Sequence, residues 1–268
     1  MSEKFYGVVG FPLGHSLSPL LHNQAFAGYG LSARYERFAV VPSDFSSFMR
    51  TVRTRSIHGL SVTLPYKQQV MPYMDRLTPL AAQTGAVNTV FWKEDELWGD
   101  NTDVAGFLAP LLALPVFPVT ALVLGAGGAA RAVVSGLLSR GCQVTVCARN
   151  AANGAVLAQK FHTGFMEWEQ RGEFRADLLV NTTPLGMTGK FTGLSPWTGS
   201  LEKFSLVYDL IYTPSKTPLL EHACLAGCQV LNGQTMFAVQ AARQFFLWTG
   251  RKMNEKKVLQ FVITNMKE

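Results

Sequence analysis

The lysine that ends SVTLPYK, residues 61–67, is the first charged side chain after an uncharged run, HGLSVTLPY, with the pattern of a buried strand. A cation there is either surface punctuation or a charge aimed into a cleft. In ketone reduction an ammonium is already the acid that a developing alkoxide needs. The candidate partner of Lys67 is Asp103, in GDNTDVAGF, a carboxylate placed just before a long uncharged run. The competing reading makes Asp103 the N-cap of the helix that follows. A nearby carboxylate raises a lysine pKa, which suits an acid in reduction and opposes a base in alcohol oxidation. Two arrangements fit the oxidation direction: Lys67 alone, or Lys67 with Asp103 also positioning the hydroxyl.

Other polar residues have the types that hold a polyol or a carboxylate. Ser16 and Ser18, in GHSLSPLLHN, stand two apart and share a side if the chain there is extended. Ser18 followed by Pro19 also reads as an N-cap with proline at the first helical position, which would leave Ser16 over. Asn88, in GAVNTVF, opens an apolar strand and is otherwise a turn residue. Gln240, in MFAVQAARQFF, borders an apolar helical stripe and can face a cleft.

A third set of residues suits phosphate. TALVLGAGGAARAVVSGLL carries Gly125, Gly127 and Ala130 at G-x-G-x-x-A spacing, between an apolar strand pattern and a helical one. The first glycine permits a tight turn, the second lets a pyrophosphate approach the backbone, and the small third residue allows close helix–sheet packing. The helix N-terminus then offers unpaired amides to the anion. The next strand, VTVCARN, ends on Arg149 with no acid inside it, and this charge logic favours NADP over NAD.

These residues need a frame. From the N-terminus, KFYGVVG, ARYERFAVV and HGLSVTLP read as strands. PLLHNQAFAGYG, SDFSSFMRTVRT (with Ser43 as N-cap) and KQQVMPYMDRL read as helices, and AVNTVFW with ELWGDNTD as a hairpin. Pro110, Pro115 and Pro118 mark a boundary. A second α/β series follows, with strands at TALVLGAG, QVTVCAR, ADLLVNTT, SLVYDLIY and CQVLNG, as in a parallel sheet with right-handed crossovers. NTTPLGM and the end of LVYDLIY would line the nicotinamide side of a site at the strand carboxyl ends. From Thr235 the chain returns to long helices.

Composition bounds the class. The 268 residues, 48% hydrophobic and 16% charged, suffice for one large globular domain or two moderate ones. The formal charge of +6 favours small anionic partners, but the cations are dispersed, which argues against nucleic acid. The uncharged stretch 104–130 is long enough to span a bilayer, yet its three prolines and closing glycines break it into helix, loop and strand. The N-terminal residues lack the apolar core of a signal peptide. Four cysteines form neither a disulfide framework nor a metal-ligand spacing, and read as buried thiols in a reducing cytoplasm, with no metal expected. Without coiled-coil heptads, the assembly reads as monomer or homodimer.

SLSPLLHN, VTLPYK, GAVNT, DNTD, GAGGAARA, NTTPLGM, YTPSKTPLL and the 233–248 segment resemble, in order and spacing, the motifs of shikimate dehydrogenases, from about residue 5 to residue 250. The resemblance implies the reversible NADP-dependent reduction of 3-dehydroshikimate to shikimate, in aromatic amino-acid biosynthesis. It implies a two-domain α/β fold with a cleft: an N-terminal α/β substrate domain at 1–103, completed by helices at 235–268, and a Rossmann-like NADP-binding domain at 104–234. Lys67 and Asp103 match the family's catalytic pair. Ser16, Ser18, Thr63, Asn88, Tyr212 and Gln240 match its substrate ligands. Gly125, Ala126, Gly127, Gly128 and Ala129 match the pyrophosphate loop, and Leu210 and Gly233 the nicotinamide side. Ala148, Arg149 and Asn150 stand where the family commonly has Asn-Arg-Thr, and no further cation follows until Lys160. This departure implies a weaker grip on a 2′-phosphate and a smaller preference for NADP over NAD. Three alternatives stay open: a quinate/shikimate dehydrogenase using either cofactor, a dehydrogenase of another cyclic hydroxy acid, and a non-catalytic NADP and metabolite sensor.

Overall fold

A computed structural model describes residues 3–13 and 16–265. The chain divides into two compact units, one running to Thr102 and resumed at Ala238–Asn265, the other spanning Asp103–Phe237.

The first unit opens with β1 (Lys4–Gly10), α1 (Ser18–Gly28), β2 (Ala33–Ala39), α2 (Phe45–Thr51) and β3 (Ile57–Val62), and continues with β4 (Arg76–Leu77), α3 (Pro79–Thr84), β5 (Thr89–Lys93) and β6 (Glu96–Asp100). The six strands form one sheet in the order β2-β1-β3-β5-β6-β4, with β1 parallel to both neighbours and β5 antiparallel to β3 and β6. The expected hairpin is β5–β6. Its two-residue turn, Glu94 and Asp95, takes positive φ at both positions (50° and 63°), the twist that matches paired strands.

Alternation along β1 sends Tyr6 and Val8 to one core and Val9 to another. Tyr6 and Val8 meet Phe26 of α1 together with Phe245 and Trp248, while Val9 meets Phe45, Phe48 and Met49 of α2. The sheet is thus covered on both faces.

Three local expectations are corrected here. Ser43 is not the cap of α2: a 3-10 turn over Pro42–Asp44 precedes that helix, and the Ser43 hydroxyl donates to the Asp44 carboxylate instead. KQQVMPYMDRL is no helix. Turns and a 3-10 turn over Met71–Tyr73 occupy it, because Pro72 removes a helical donor and the chain must enter β4 at Arg76. Ser18 is the first residue of α1 and not its cap; Ser16 Oγ accepts the Ser18 N–H at 3.3 Å.

The second unit contains α4 (Asp103–Leu112), β7 (Thr120–Leu124), α5 (Gly128–Leu138), β8 (Gln143–Ala148), α6 (Ala151–Phe161), β9 (Gly164–Glu167), β10 (Leu178–Asn181), β11 (Leu206–Asp209), α7 (Pro218–Leu225) and β12 (Gln229–Leu231). Its sheet is parallel throughout, in the order β12-β11-β10-β7-β8-β9, so the chain reverses direction across the sheet at β7 and β10. That is the doubly wound order with its switch point beside the glycine loop. β9 is an edge strand of four residues with no apolar run to announce it.

Helix α4 continues through Pro110, which the sequence reading treated as a breaker. At Gly136 of α5 an added Cβ would lie 3.3 Å from Phe107 and Leu108 of α4, so the missing side chain sets how closely the two helices approach. Phe107 in turn stacks on Tyr208 of β11, centroids 5.3 Å apart.

The chain closes with α8 (Gln234–Thr249) and α9 (Glu255–Asn265), and none of the described helices is long and apolar enough to cross a membrane. Cys142, Cys147 and Cys228 are buried free thiols, but Cys224 is exposed at the end of α7, where the amphipathic helix turns that position outward.

Candidate active site

In the first unit, the turn leaving β3 carries Thr63 and Lys67. The Thr63 N–H donates to Val9 O at 2.9 Å, which fixes the start of the turn to β1. The Lys67 carbonyl accepts the Val87 N–H at 2.7 Å, and the Val62 N–H donates to Asn88 O at 2.8 Å. These backbone bonds bring the half-buried Lys67 turn and Asn88 to the same end of the sheet. Asn88 is only 2% exposed. Its Oδ1 accepts the Thr102 N–H and the Thr89 hydroxyl, each at 2.8 Å, and its Nδ2 donates to Thr102 Oγ1 at 3.0 Å. Asn88 is therefore a clamped core amide, not a solvated turn residue.

Ser16 and Ser18 lie at the entry to α1. Leu17 between them has helical angles (φ −77°, ψ −11°), so the argument that extended chain puts both hydroxyls on one side does not hold. Arg37 of β2 donates to the Ser16 carbonyl at 2.7 Å and holds this entry segment. Gln240 is half-buried on α8.

In the second unit, the loop after β7 has the form expected of a phosphate cradle. Gly125 takes φ +113°, and a Cβ there would collide with Thr182 Oγ1. Thr182 cannot yield easily, because its hydroxyl donates to Leu124 O at 2.6 Å. Gly127 caps α5 in extended conformation, with open space where a side chain would stand. The first turn of α5 carries no acid and its N-cap makes no side-chain hydrogen bond, so the helix's own first turn does not offset its partial positive charge. Ala126, Gly128 and Ala129 complete a cradle of backbone and small side chains that suits a pyrophosphate.

At the end of β8 Ala148 is buried while Arg149 and Asn150 are exposed. Asn150 Oδ1 is engaged in capping α6, accepting the Asn153 N–H at 3.0 Å. Arg149 is thus the cation that this strand end presents. Asp103 begins α4 and is 4% exposed; it follows Thr102, whose N–H is held by Asn88.

One group at these strand ends escaped the sequence reading. Asp209, buried at the end of β11, accepts from Asn181 Nδ2 at 3.0 Å, from the Ile211 N–H at 3.1 Å and from Thr217 Oγ1 at 2.7 Å. Burial pushes its pKa up to about 6 against the lowering effect of those three donors. The knot ties the Asn181–Thr183 turn to the segment carrying Leu210 and Tyr212. The signal in sequence was an acid inside the apolar run SLVYDLIY. Gly233 is needed here because a Cβ would strike the Leu210 carbonyl, and its N–H donates to Ile211 O at 3.0 Å. The Tyr212 ring packs on Phe237, centroids 4.8 Å apart. Among the described residues no cluster of three or more His, Cys, Asp or Glu could hold a metal.

A family model described as the shikimate dehydrogenase substrate binding domain matches residues 8–90, and one described as the shikimate 5′-dehydrogenase C-terminal domain matches residues 233–261. A shikimate dehydrogenase (NADP(+)) of Oleidesulfovibrio alaskensis is 49% identical over 255 residues, covering 94% of this chain and 91% of that protein. The protein of the same name from Maridesulfovibrio salexigens is 42% identical, with 98% of each chain covered. Among solved structures, a shikimate 5-dehydrogenase from Thermus thermophilus in complex with NADP(H) and shikimate aligns with a TM-score of 0.85 at 36% identity, over 97% of this chain and 99% of that one. One from Listeria monocytogenes in complex with shikimate and NAD gives 0.85 at 30% identity, over 97% and 96%.

Proposed function

The chain belongs to the shikimate dehydrogenase family, and we propose on that premise that it interconverts 3-dehydroshikimate and shikimate with NADP, an oxidoreductase reaction. The observation that carries the reading is a 49% identity running through nearly the whole of a relative with that activity in its name. The resemblance adds a division of labour: the first unit takes the hydroxy acid and the second the dinucleotide.

The glycine loop and α5 would hold the pyrophosphate, Arg149 the 2′-phosphate, and Leu210 and Gly233 at the strand ends the nicotinamide side. When bound, the cofactor supplies or accepts a hydride. The chain's own residues then handle the proton. Lys67 donates one from Nζ to the substrate oxygen as ketone becomes alcohol, and takes it back in the reverse direction. Asp103, a carboxylate desolvated at the start of α4, is its acidic partner and orients the hydroxyl. Thr63, Asn88, Ser16, Ser18, Tyr212 and Gln240 would hold the carboxylate and remaining hydroxyls. The fixed donor and acceptor ends of Asn88 support such a role, since a ligand amide that cannot rotate discriminates between hydroxyl positions.

The deciding assay is nicotinamide reduction by purified protein with shikimate or quinate, each with NADP⁺ or NAD⁺. Turnover with shikimate and NADP⁺ well above the other three pairs is expected. NADP⁺ binding without turnover on either acid would overturn the reading in favour of a sensor.

A further inference from the structure

Helix α5 carries a single charged side chain, Arg131. The residues around it, Ala130, Ala132, Val133 and Val134, are buried, and Arg131 itself is half-buried. Its Nε is shut away from solvent with no hydrogen-bond partner. Burial holds its pKa below the usual arginine value, and no acid beside it acts in the opposite direction. A desolvated guanidinium nitrogen without an acceptor costs free energy that a solvated surface arginine avoids. The missing acceptor is one that the chain itself does not supply.

The helix sets where this side chain lies. The Arg131 N–H donates to Gly127 O at 3.1 Å, so Arg131 stands one turn above Gly127. Long side chains on a helix lean toward its N-terminus and cover the residues three and four positions back, here Gly128 and Gly127. Neither has a side chain to obstruct the arginine stem, and the direction in which a Cβ of Gly127 would point is open. The guanidinium is therefore carried to the same end of α5 as the amides of the glycine loop. Arg149, at the end of neighbouring β8, serves the 2′-phosphate in the reading above. That leaves a doubly charged pyrophosphate opposite backbone amides and about half a unit of helix charge, a balance that one full cation improves.

We propose that Arg131 is a further cofactor-binding residue: beside the glycine loop, its guanidinium meets the charge of the dinucleotide's pyrophosphate, for NADP and NAD alike. This rests on the reading above that the loop after β7 holds a pyrophosphate. In this division Arg131 sets how tightly a dinucleotide binds, and Arg149 sets which dinucleotide is preferred.

The test is equilibrium binding to the purified full chain, by isothermal titration calorimetry. The ligands are NADP⁺, NAD⁺ and adenosine 2′-monophosphate, which keeps the 2′-phosphate and lacks the pyrophosphate. Arg131→Met retains most of the stem and removes the charge. It is expected to raise the Kd of NADP⁺ and of NAD⁺ by the same factor, about tenfold or more, as for the loss of a charge-assisted hydrogen bond. The Kd of adenosine 2′-monophosphate should not move. Arg149→Ala should show the complementary pattern, weakening NADP⁺ and adenosine 2′-monophosphate and sparing NAD⁺. The salt dependence of NADP⁺ binding should become shallower in Arg131→Met, and Arg131→Lys, a cation without the planar fork, should fall between parent and Met. An NADP⁺ Kd equal to the parent's in Arg131→Met would overturn the proposal and leave the side chain a packing role only. Equal penalties for NADP⁺ and adenosine 2′-monophosphate would overturn it as well. If the parent binds NADP⁺ no more tightly than adenosine 2′-monophosphate, and Gly125→Ala changes neither, the loop holds no pyrophosphate and the underlying reading fails with it. Should Arg131→Met fail to fold, Arg131→Lys against the same ligands decides: weaker dinucleotide binding with the monophosphate unmoved supports the proposal, and unchanged values overturn it.

Discussion

His22 lies fully enclosed between Tyr35, Phe26, Phe245 and Trp248, with ring centroids 4.7 Å from Tyr35 and 5.1 Å from Trp248. Neither ring nitrogen has a hydrogen-bond partner. A charged imidazolium there would lose its hydration with nothing in return, so burial lowers the pKa from 6.5 to about 3. A depressed folded-state pKa gives stability that is present above the unfolded value and is lost as pH falls toward the folded one. Between pH 8 and pH 5 the unfolded chain takes up nearly one proton at this residue and the native chain takes up almost none. The linkage favours unfolding by about thirtyfold, or about 2 kcal/mol. Replacing His22 with Leu abolishes that dependence, whatever it does to absolute stability through packing. The assay is urea unfolding of parent and His22→Leu at pH 5 and pH 8. The parent should lose about 2 kcal/mol more than the variant across that interval. His58, also lowered by burial, is present in both and cancels. If the two proteins lose the same amount, His22 is not held neutral and the account of this core fails.

Four further outcomes are expected. Lys67→Ala should keep substrate KM near normal and lower turnover at least ~100-fold, the scale for losing an acid–base group; an intact kcat removes Lys67 from proton transfer. Gly125→Ala combines φ +113° with a collision at Thr182 Oγ1, so the NADP⁺ KM should rise about tenfold or more with the shikimate KM unmoved, as read by initial rates. With Asn150 Oδ1 spent on capping α6, Arg149→Ala should reduce the ratio of NADP⁺ to NAD⁺ efficiency about tenfold or more, and an unchanged ratio would place the 2′-phosphate elsewhere. The pKa of Asp209, raised from 3.8 to about 6, works in the opposite sense to His22: its stabilising contribution is present below pH 3.8 and is lost as pH rises through about 6. Asp209→Asn should therefore remove about 2 kcal/mol of that decline between pH 4 and pH 7, seen as a shallower fall in Tm over that interval.

Much of this was legible along the chain because the signals were local. β7, its glycines and α5 announce themselves through an apolar run, positive-φ requirements and a helical period within twenty residues. The β5–β6 hairpin was equally plain from alternation. The errors arose where neighbours decide. Ser43 looked like a cap, but Pro42 starts a 3-10 turn that displaces the helix start past it. The run after Lys67 had helical composition, yet strand β4 claims Arg76 and Leu77 for the sheet. β9 pairs with β8 at an edge and needs no hydrophobic code. Ser61 and Gln244, 183 residues apart, carry no signal that they meet; only the packing of α8 on the first sheet joins them.

The uneven exposure of the four thiols has a practical consequence for anyone attaching a probe. Thiolate is the reactive form, and burial pushes Cys142 and Cys147 up to about 11 and Cys228 upward as well. At pH 7.5 Cys142 and Cys147 are each ionised to only about three parts in ten thousand, and reagents cannot reach them while the chain is folded. Cys224 alone is open to solvent. A maleimide dye should therefore couple once per folded chain, at the end of α7, with no cysteine removed first. Faster coupling at the other three would report opening of the second sheet's core, so the same labelling reaction doubles as a clock for local unfolding.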